Sequence, residues 1–420
     1  KFILERGHLL NTKNPQAVET VHLNSELVAA FRRFRTIGQL LGSPVYRELK
    51  AFLDRLLGNP IVFESPGCRP RLRSFLRVVQ WNVQYGIMLD GISRVLNEHP
   101  VLRFADLLLI NEVDDGMARS GNLSIAAELS RRLRAHAVFG VEYLELAEPA
   151  PSDLARDDDA PVDRGKPSKN AASLHGSAIL TRHPFSNPGI VRLHRCEDNF
   201  ASAEKRLGGR AGILADIHLP GVTVAAATAH LDVVNTPQCR QSQMRDLLDA
   251  LETRCAADSG KLAIVGGDFN THTFARGGRR RAVINALRIL ATANRVLSRD
   301  LLNPFHKEPL LGDLLASGYR IDGFNDGQPT NQVGARELEA SSALPLLVRK
   351  LAVRRLGSPE FSLPFRLDWL AARGLFPLDA GEITDPETGA SSVAPCTVAG
   401  LESAGRRLSD HDPIVVDIRI

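Results

Sequence analysis

The sequence predicts a mixed α/β protein in which short buried strands alternate with amphipathic helices. Short apolar runs recur along the chain between turn residues, and these read as buried strands. Helical apolar periodicity falls between several of them, giving the order strand, helix, strand, helix. The strand runs also end in Asn, Glu, His or Asp, and polar residues at strand exits are where α/β proteins collect ligand sites.

Composition sets the bounds. The chain has 420 residues, enough for one large domain or two. Its charged and apolar fractions are those of an ordinary globular protein. A net charge of +4 demands no polyanionic partner, and a pI near 8.9 permits one. Cys68, Cys196, Cys239, Cys255 and Cys396 show no CxxC spacing, so neither a disulfide framework nor a zinc site is expected. No run reaches the ~20 apolar residues of a membrane span. Because the chain opens on Lys1, it reads as a fragment or processed product, which leaves room for a removed leader. The compartment, cytoplasmic or exported, stays open.

Residues 1–74 read as a helical extension. Glu26 to Leu57 carries apolar residues at helical spacing, interrupted at Gly42-Ser43-Pro44. The opposite face holds Arg32, Arg33, Arg35, Arg47, Lys50 and Arg55. Such a pair packs on its own domain with the charges solvated, or lies on a membrane surface. Pro66 to Arg73 reads as a linker.

From Phe75 the rhythm changes. FLRVVQWNV is a strand ending at Asn82, Ile92 to His99 a helix stopped by Pro100, and Ala105 to Ile110 a strand terminating in Asn111-Glu112. Ile125 to Leu133 reads as a helix and Ala137 to Leu146 as a strand. Glu148 to Ala172, with four prolines and Asp157-Asp158-Asp159, reads as an exposed loop. Strands resume at Ser177–Thr181, Arg210–His218 and Val222–Leu231, the last holding His230, and Gln238 to Glu252 is a helix. Leu262 to Val265 is a buried strand closed by Gly266-Gly267, with Asp268 and Asn270 beyond. That turn lifts two polar side chains out of a strand end, either for a ligand or merely as an Asx-turn. A helical excursion follows, with basic amphipathic pieces at Arg279–Leu302 and Ser341–Leu356, so an insertion is expected around 276–362. Arg366 to Gly374 and the final SDHDPIVVDIRI read as strands, the second with Asp410 and His411 at its entrance.

Gathered together, Asn82, Glu112, His230, Asp268, Asn270, Asp368, Asp410 and His411 offer oxygens, amides and imidazoles and no thiol. Hard oxygen ligands in small number suit Mg²⁺ or Mn²⁺. A histidine beside a carboxylate suits proton transfer near neutral pH.

In this order the residues resemble the endonuclease/exonuclease/phosphatase superfamily, the deoxyribonuclease I-like phosphoesterases. The resemblance rests on Trp81-Asn82, Asn111-Glu112 (the family more often has Gln-Glu), Ala229-His230-Leu231, Gly267 to Asn270 and Ser409 to Pro413. Ser177 to Phe185 and Arg366 to Trp369 are also similar to family segments. It implies an α+β fold, a four-layered α/β/β/α sandwich of two mixed sheets, over residues 75–420. It implies metal-dependent attack of water on phosphorus. Glu112 would be the principal metal ligand, with Asn82 and Asp410 close to the ion. Asp268 would orient or activate the water and Asn270 hold a phosphate oxygen. His411, oriented by Asp368, would polarise the phosphate or take a proton. His230 matches the second histidine of the deoxyribonuclease I and sphingomyelinase branches, and Arg210 is a candidate phosphate contact. Gln84 and His230 set the chain apart from the abasic-site endonuclease branch, which has an acidic residue and a tyrosine there.

The motifs leave the substrate open between nucleic acid and a phospholipid or sphingolipid head group. A phosphoinositide-type monoesterase and a catalytically silent scaffold are the alternatives. Arg276, Arg279, Arg280 and Arg281 suit the first substrate and the amphipathic excursion the second, with peripheral membrane contact. No obligate protein partner is evident.

Overall fold

In the computed structural model, residues 25–149, 169–202, 204–257, 262–275, 278–334, 350 and 362–420 are described. The aspartates 157–159, Arg276 and the piece Ser341–Leu356, apart from Lys350, lie outside them.

The chain enters through α1 (Ser25–Arg32), α2 (Ile37–Leu41) and α3 (Pro44–Gly58). The break expected at Gly42-Ser43-Pro44 is a helix start. Ser43 accepts a hydrogen bond from Tyr46 N, and Pro44 occupies the first turn, where its missing N–H costs nothing. Phe31, Leu40, Leu49, Leu53 and Leu56 bury the apolar face of these helices. Then β1 (Ile61–Phe63) adds a strand to a sheet edge. The stretch read as a linker is anchored: the Asp106 carboxylate accepts from Arg71 N at 2.9 Å and Leu72 N at 3.0 Å.

Next come β2 (Phe75–Asn82), α4 (Leu89–Glu98), β3 (Leu107–Asp115), α5 (Ile125–Leu133), β4 (His136–Glu145), β5 (Leu174–Thr181) and β6 (Phe185–Arg192). They are followed by β7 (Arg206–Gly208), β8 (Ala211–Leu219), β9 (Val222–Ala229), α6 (Pro237–Ala257) and β10 (Ala263–Asp268). The excursion contributes α7 (Gly278–Ala291), α8 (Asn294–Leu302), α9 (Pro309–Ala316) and the antiparallel pair of β11 (Asn331–Gly334) with β12 (Ser362–Phe365). The chain closes with β13 (Asp368–Arg373), β14 (Cys396–Thr397), the small hairpin β15 (Glu402–Ser403) and β16 (Arg406–Arg407), and β17 (Ile414–Arg419).

Among the described residues the strands form two mixed sheets. The larger has the order β1-β4-β5-β3-β2-β17-β14 with β7 beside β4, and the smaller β13-β10-β9-β8-β6. Only β2–β3 and β9–β10 run parallel among the described pairs. Strand alternation explains the layering. Leu76, Val78, Leu107 and Leu109 point inward against Ile213, Ala215, Ala226 and Ile264 of the other sheet. Val79, Trp81, Leu108 and Ile110 point outward against α4 and α5. Behind the smaller sheet, α6 and α9 cover Ala225, Ala227 and Val265. The result is the four-layered sandwich that was expected. β6 has a weak sequence signal because it is an edge strand with Pro188 and a register shift between Ser186 and Gly189.

Candidate active site

The strand ends meet at one end of both sheets, and a bulge in β3 does much of the arranging. β3 does not stop before Asn111-Glu112 as expected. Its pairing with β5 slips between Ile110 and Val113, and Glu112 takes a left-handed φ of 53°. Bulges re-aim side chains in this way. Asn111 turns into the space between the sheets and is fully buried. Its Oδ1 accepts from Asp268 N at 2.8 Å and Gln80 Nε2 at 3.2 Å. Its Nδ2 donates to Ser177 Oγ at 3.1 Å and Thr228 Oγ1 at 3.2 Å. Gln80 and Ser177 belong to the larger sheet, Thr228 and Asp268 to the smaller, so one amide fixes their relative position.

The GGDFN turn does two jobs. A Cβ on Gly267 would overlap the Ala229 carbonyl, so only glycine lets β10 approach β9 so closely. Asp268 Oδ1 accepts from Asn270 N at 3.0 Å, which is the local turn. Its other oxygen faces the site. Asn270, at φ 51°, donates one amide hydrogen to Leu231 O at 2.9 Å.

Asp268 Oδ2 is the meeting point. Asn82 Nδ2 donates to it at 3.0 Å, His230 Nε2 lies at 3.5 Å and His411 Nε2 at 3.7 Å. Asn82 Nδ2 also faces Glu112 Oε1 at 3.2 Å, while its Oδ1 is held by Gln84 N. His411 Nδ1 donates to Asp368 Oδ2 at 2.6 Å, and Gln80 Nε2 donates to Asp368 Oδ1 at 3.0 Å. Trp81 Nε1 donates to His411 O at 3.0 Å, and Ser409 Oγ donates to Asn82 O at 2.7 Å, joining the Trp-Asn strand end to the Ser-Asp-His turn. Asp368 stands opposite Asp268 in the β10–β13 register. Asp410 is exposed at the mouth. All eight expected residues lie in this one region.

Burial sets the electrostatics. It pushes Glu112 up to about 7, and the Asp410 charge adds to the effect. It pushes Asp268 up to about 6 against the pull of His411. Burial alone would lower His411, yet the Asp368 and Asp268 carboxylates hold it well above its ordinary value. His230 is held well below, by burial and then by the Arg210 charge, and its Nδ1 is buried without a hydrogen-bond partner.

Do these residues fit a divalent cation? Asp268, Asp368 and His411 bring ligand atoms together, but His411 and Asp368 already satisfy each other. Glu112 has a single amide donor, Asn82, and burial together with the Asp410 charge raises its proton affinity against the opposing pull of His411. A hard cation would relieve the repulsion between the two carboxylates, and oxygen donors suit Mg²⁺ or Mn²⁺. The donor set fits.

Sequence reasoning missed a polar wall beside Glu112. Arg119 makes a two-pronged pair with Asp114, Nε–Oδ2 2.7 Å and Nη2–Oδ1 2.9 Å, and its guanidinium lies 3.7 Å from the Tyr85 ring centroid. His175 Nδ1 donates to the same carboxylate at 2.9 Å. These residues come from separate loops and strands, so no spacing announces them. Arg210 is not free for a phosphate, being held by Glu142 at 3.0 Å and Asp232 at 3.2 Å. The cysteine expectation is also corrected: Cys196 and Cys239 form a disulfide beside Asp232, a pairing across 43 residues that no local spacing reports.

The family model for the endonuclease/exonuclease/phosphatase family matches residues 79–336, more than half of the chain. The chain belongs to that family. Its members are metal-dependent phosphoesterases, and membership supports hydrolysis of phosphoric esters as the general activity of this chain. No curated protein matches. The fold is similar to the human Nocturnin catalytic domain at 16% identity, covering 86% of this chain and 96% of that one, with a TM-score of 0.41. A truncated Caenorhabditis elegans TDP2 gives 12% identity, 82% and 98% coverage and a TM-score of 0.39. A family protein from Leptotrichia buccalis gives 14%, 82% and 100%, and 0.45.

Proposed function

We propose that the chain hydrolyses a phosphodiester by attack of water on phosphorus, with Mg²⁺ or Mn²⁺ held by Glu112 and Asp410 beside Asn82. The observation that supports this reading is the convergence of Asn82, His230 and His411 on Asp268 Oδ2, next to a crowded Glu112. When bound, the ion polarises a phosphoryl oxygen and offsets the charge that develops there.

The chain's own groups supply the rest. Asp268 Oδ2 orients the attacking water and takes its proton, a role suited to a carboxylate pushed up to about 6. His411, kept as imidazolium by Asp368 and Asp268, donates from Nε2 to a phosphate oxygen. Asp368 fixes that ring through Nδ1. Asn270 has a second amide hydrogen for another phosphate oxygen, since only one is spent on Leu231 O. His230, neutral, steadies Asp268 through Nε2.

The substrate is a nucleic acid or a phospholipid head group, and one experiment separates them. Plasmid nicking and head-group release are measured side by side with Mg²⁺ and with EDTA. Turnover of one substrate that rises with protein and stops in EDTA assigns it. Binding of either without turnover of any phosphoester would overturn the reading in favour of a scaffold.

A further inference from the structure

The excursion after the GDFN turn leaves an apolar stripe facing solvent. On α7, Arg280, Ile284, Leu287 and Ala291 fall at intervals of four, three and four, which places them along one helix face. Ile284 is 63% exposed and Leu287 56%. Leucine and isoleucine exposed together on one stripe mark a contact surface more often than single exposed apolar residues do. In α8, Val296 is 39% exposed between the exposed Arg295 and Arg299.

The opposite face is anchored, so the stripe is not a helix waiting to pack inward. Ile289, Leu297 and Leu301 are buried with Phe274, Leu363 and Phe365. Arg288 donates to Thr273 O at 2.8 Å and Thr273 Oγ1 at 3.0 Å, and Asn285 Nδ2 donates to Ala275 O at 3.0 Å. These bonds tie α7 to the loop that leaves Asp268 and Asn270.

Charge selects the partner. Residues 278–299 hold six arginines and no aspartate or glutamate. Arg280 and Arg295 form no ion pair with a described residue, whereas Arg299 lies 3.5 Å from Asp300. Exposed aliphatic side chains flanked by Arg280 and Arg295, which pair with no described acid, are complementary to a surface with anionic groups over an apolar layer. Single-stranded nucleic acid would ask for aromatic platforms, and α7 and α8 have none.

We infer that the α7–α8 face docks on an anionic lipid bilayer, with Ile284, Leu287 and Val296 entering the interface and Arg280 and Arg295 meeting lipid phosphates. The inference does not rest on the catalytic reading, because docking is measured without turnover. If both hold, the membrane supplies the diester close to the catalytic strand ends.

The full chain is floated with phosphatidylcholine vesicles with and without phosphatidylglycerol, in EDTA, at low and high salt. The expected result is flotation with the anionic vesicles alone, weakened by salt. Ile284→Asp with Leu287→Asp should abolish it. Arg280→Ala with Arg295→Ala should weaken it by about fivefold per arginine. Both pairs should retain wild-type Mg²⁺-dependent turnover of a small soluble phosphodiester, or wild-type thermal unfolding if no turnover is found. Three results would overturn the inference: no flotation of the wild type, flotation unchanged in both pairs, or binding of an oligonucleotide or of a second copy of the chain that depends on these residues in place of vesicles.

Discussion

Replacing Asn111 by alanine tests whether one buried amide holds the two sheets in catalytic register. Asn111→Ala removes four hydrogen bonds. Gln80 Nε2 keeps Asp368, and Ser177 Oγ keeps Glu142 at 2.7 Å, so neither is orphaned. Asp268 N loses its acceptor between the sheets, Asn111 Oδ1 at 2.8 Å. An orphaned buried N–H costs about 1–3 kcal/mol, and each of the other three bonds contributes about 0.5–1.5 kcal/mol. A loss of about 2.5–7.5 kcal/mol follows, against a total stability of about 5–15 kcal/mol for a folded domain. Asp268 and Glu112 flank the lost side chain, and displacement of a reacting group by ~1 Å costs ~10²-fold in rate. Urea unfolding gives the first number. The second comes from kcat for a soluble phosphodiester at a temperature where both proteins are folded. Asn111→Gln, which keeps the amide, should recover most of both. A stability loss below about 1 kcal/mol, or an unchanged kcat in the alanine variant, would refute the argument.

Three further outcomes follow from the same geometry. Asp368→Asn keeps the shape but removes the nearest charge holding His411 protonated. Activity that needs imidazolium is present at low pH and lost as pH rises through the folded pKa, so the alkaline limb of the pH–rate profile should move to lower pH. The loss of kcat at pH 8 should be about 10²–10⁴-fold, and an unmoved limb would contradict it. Because burial pushes Glu112 up to about 7, a proton competes with the cation below that pH. Mn²⁺ affinity, measured by titration calorimetry, should therefore fall about tenfold from pH 8 to pH 6. An affinity that is flat over that range would exclude the competition. Reducing Cys196–Cys239, which closes a loop of 43 residues, should lower stability by about 4 kcal/mol in the chain-entropy account. Matched urea midpoints with and without reductant would show that the crosslink constrains little.

Much of the site was legible because its residues sit at strand exits inside short local patterns. Gly266-Gly267 before Asp268 announced a tight strand end, and at Gly267 a Cβ would overlap the Ala229 carbonyl at the end of β9. Ser409 to Pro413 preceded a clean alternating strand, and β17 pairs with β2 in register from Gln80 to Phe75. What stayed hidden depends on distance in sequence. Asn111 was visible as part of a pair with Glu112, but its role between the sheets needs the bulge that turns it inward. The Tyr85, Arg119, Asp114 and His175 wall assembles from β3, β5 and two loops, so its parts carry no shared period. Arg210 looked like a free phosphate contact because its partners Glu142 and Asp232 lie 68 and 22 residues away. The Gly42-Ser43-Pro44 break was read correctly as an interruption, since capping chemistry is local. Among the described residues no helix is long and apolar enough to cross a membrane, in line with the short apolar runs of the sequence.

Glu112 and His411 are proposed to work on one phosphoester. The most direct test is Mg²⁺-dependent hydrolysis of bis(p-nitrophenyl) phosphate by the wild type, Glu112→Ala and His411→Ala, with circular dichroism on each. The expected result is turnover that stops in EDTA, near-complete loss in both variants and unchanged folds. Wild-type turnover by both folded variants would contradict it.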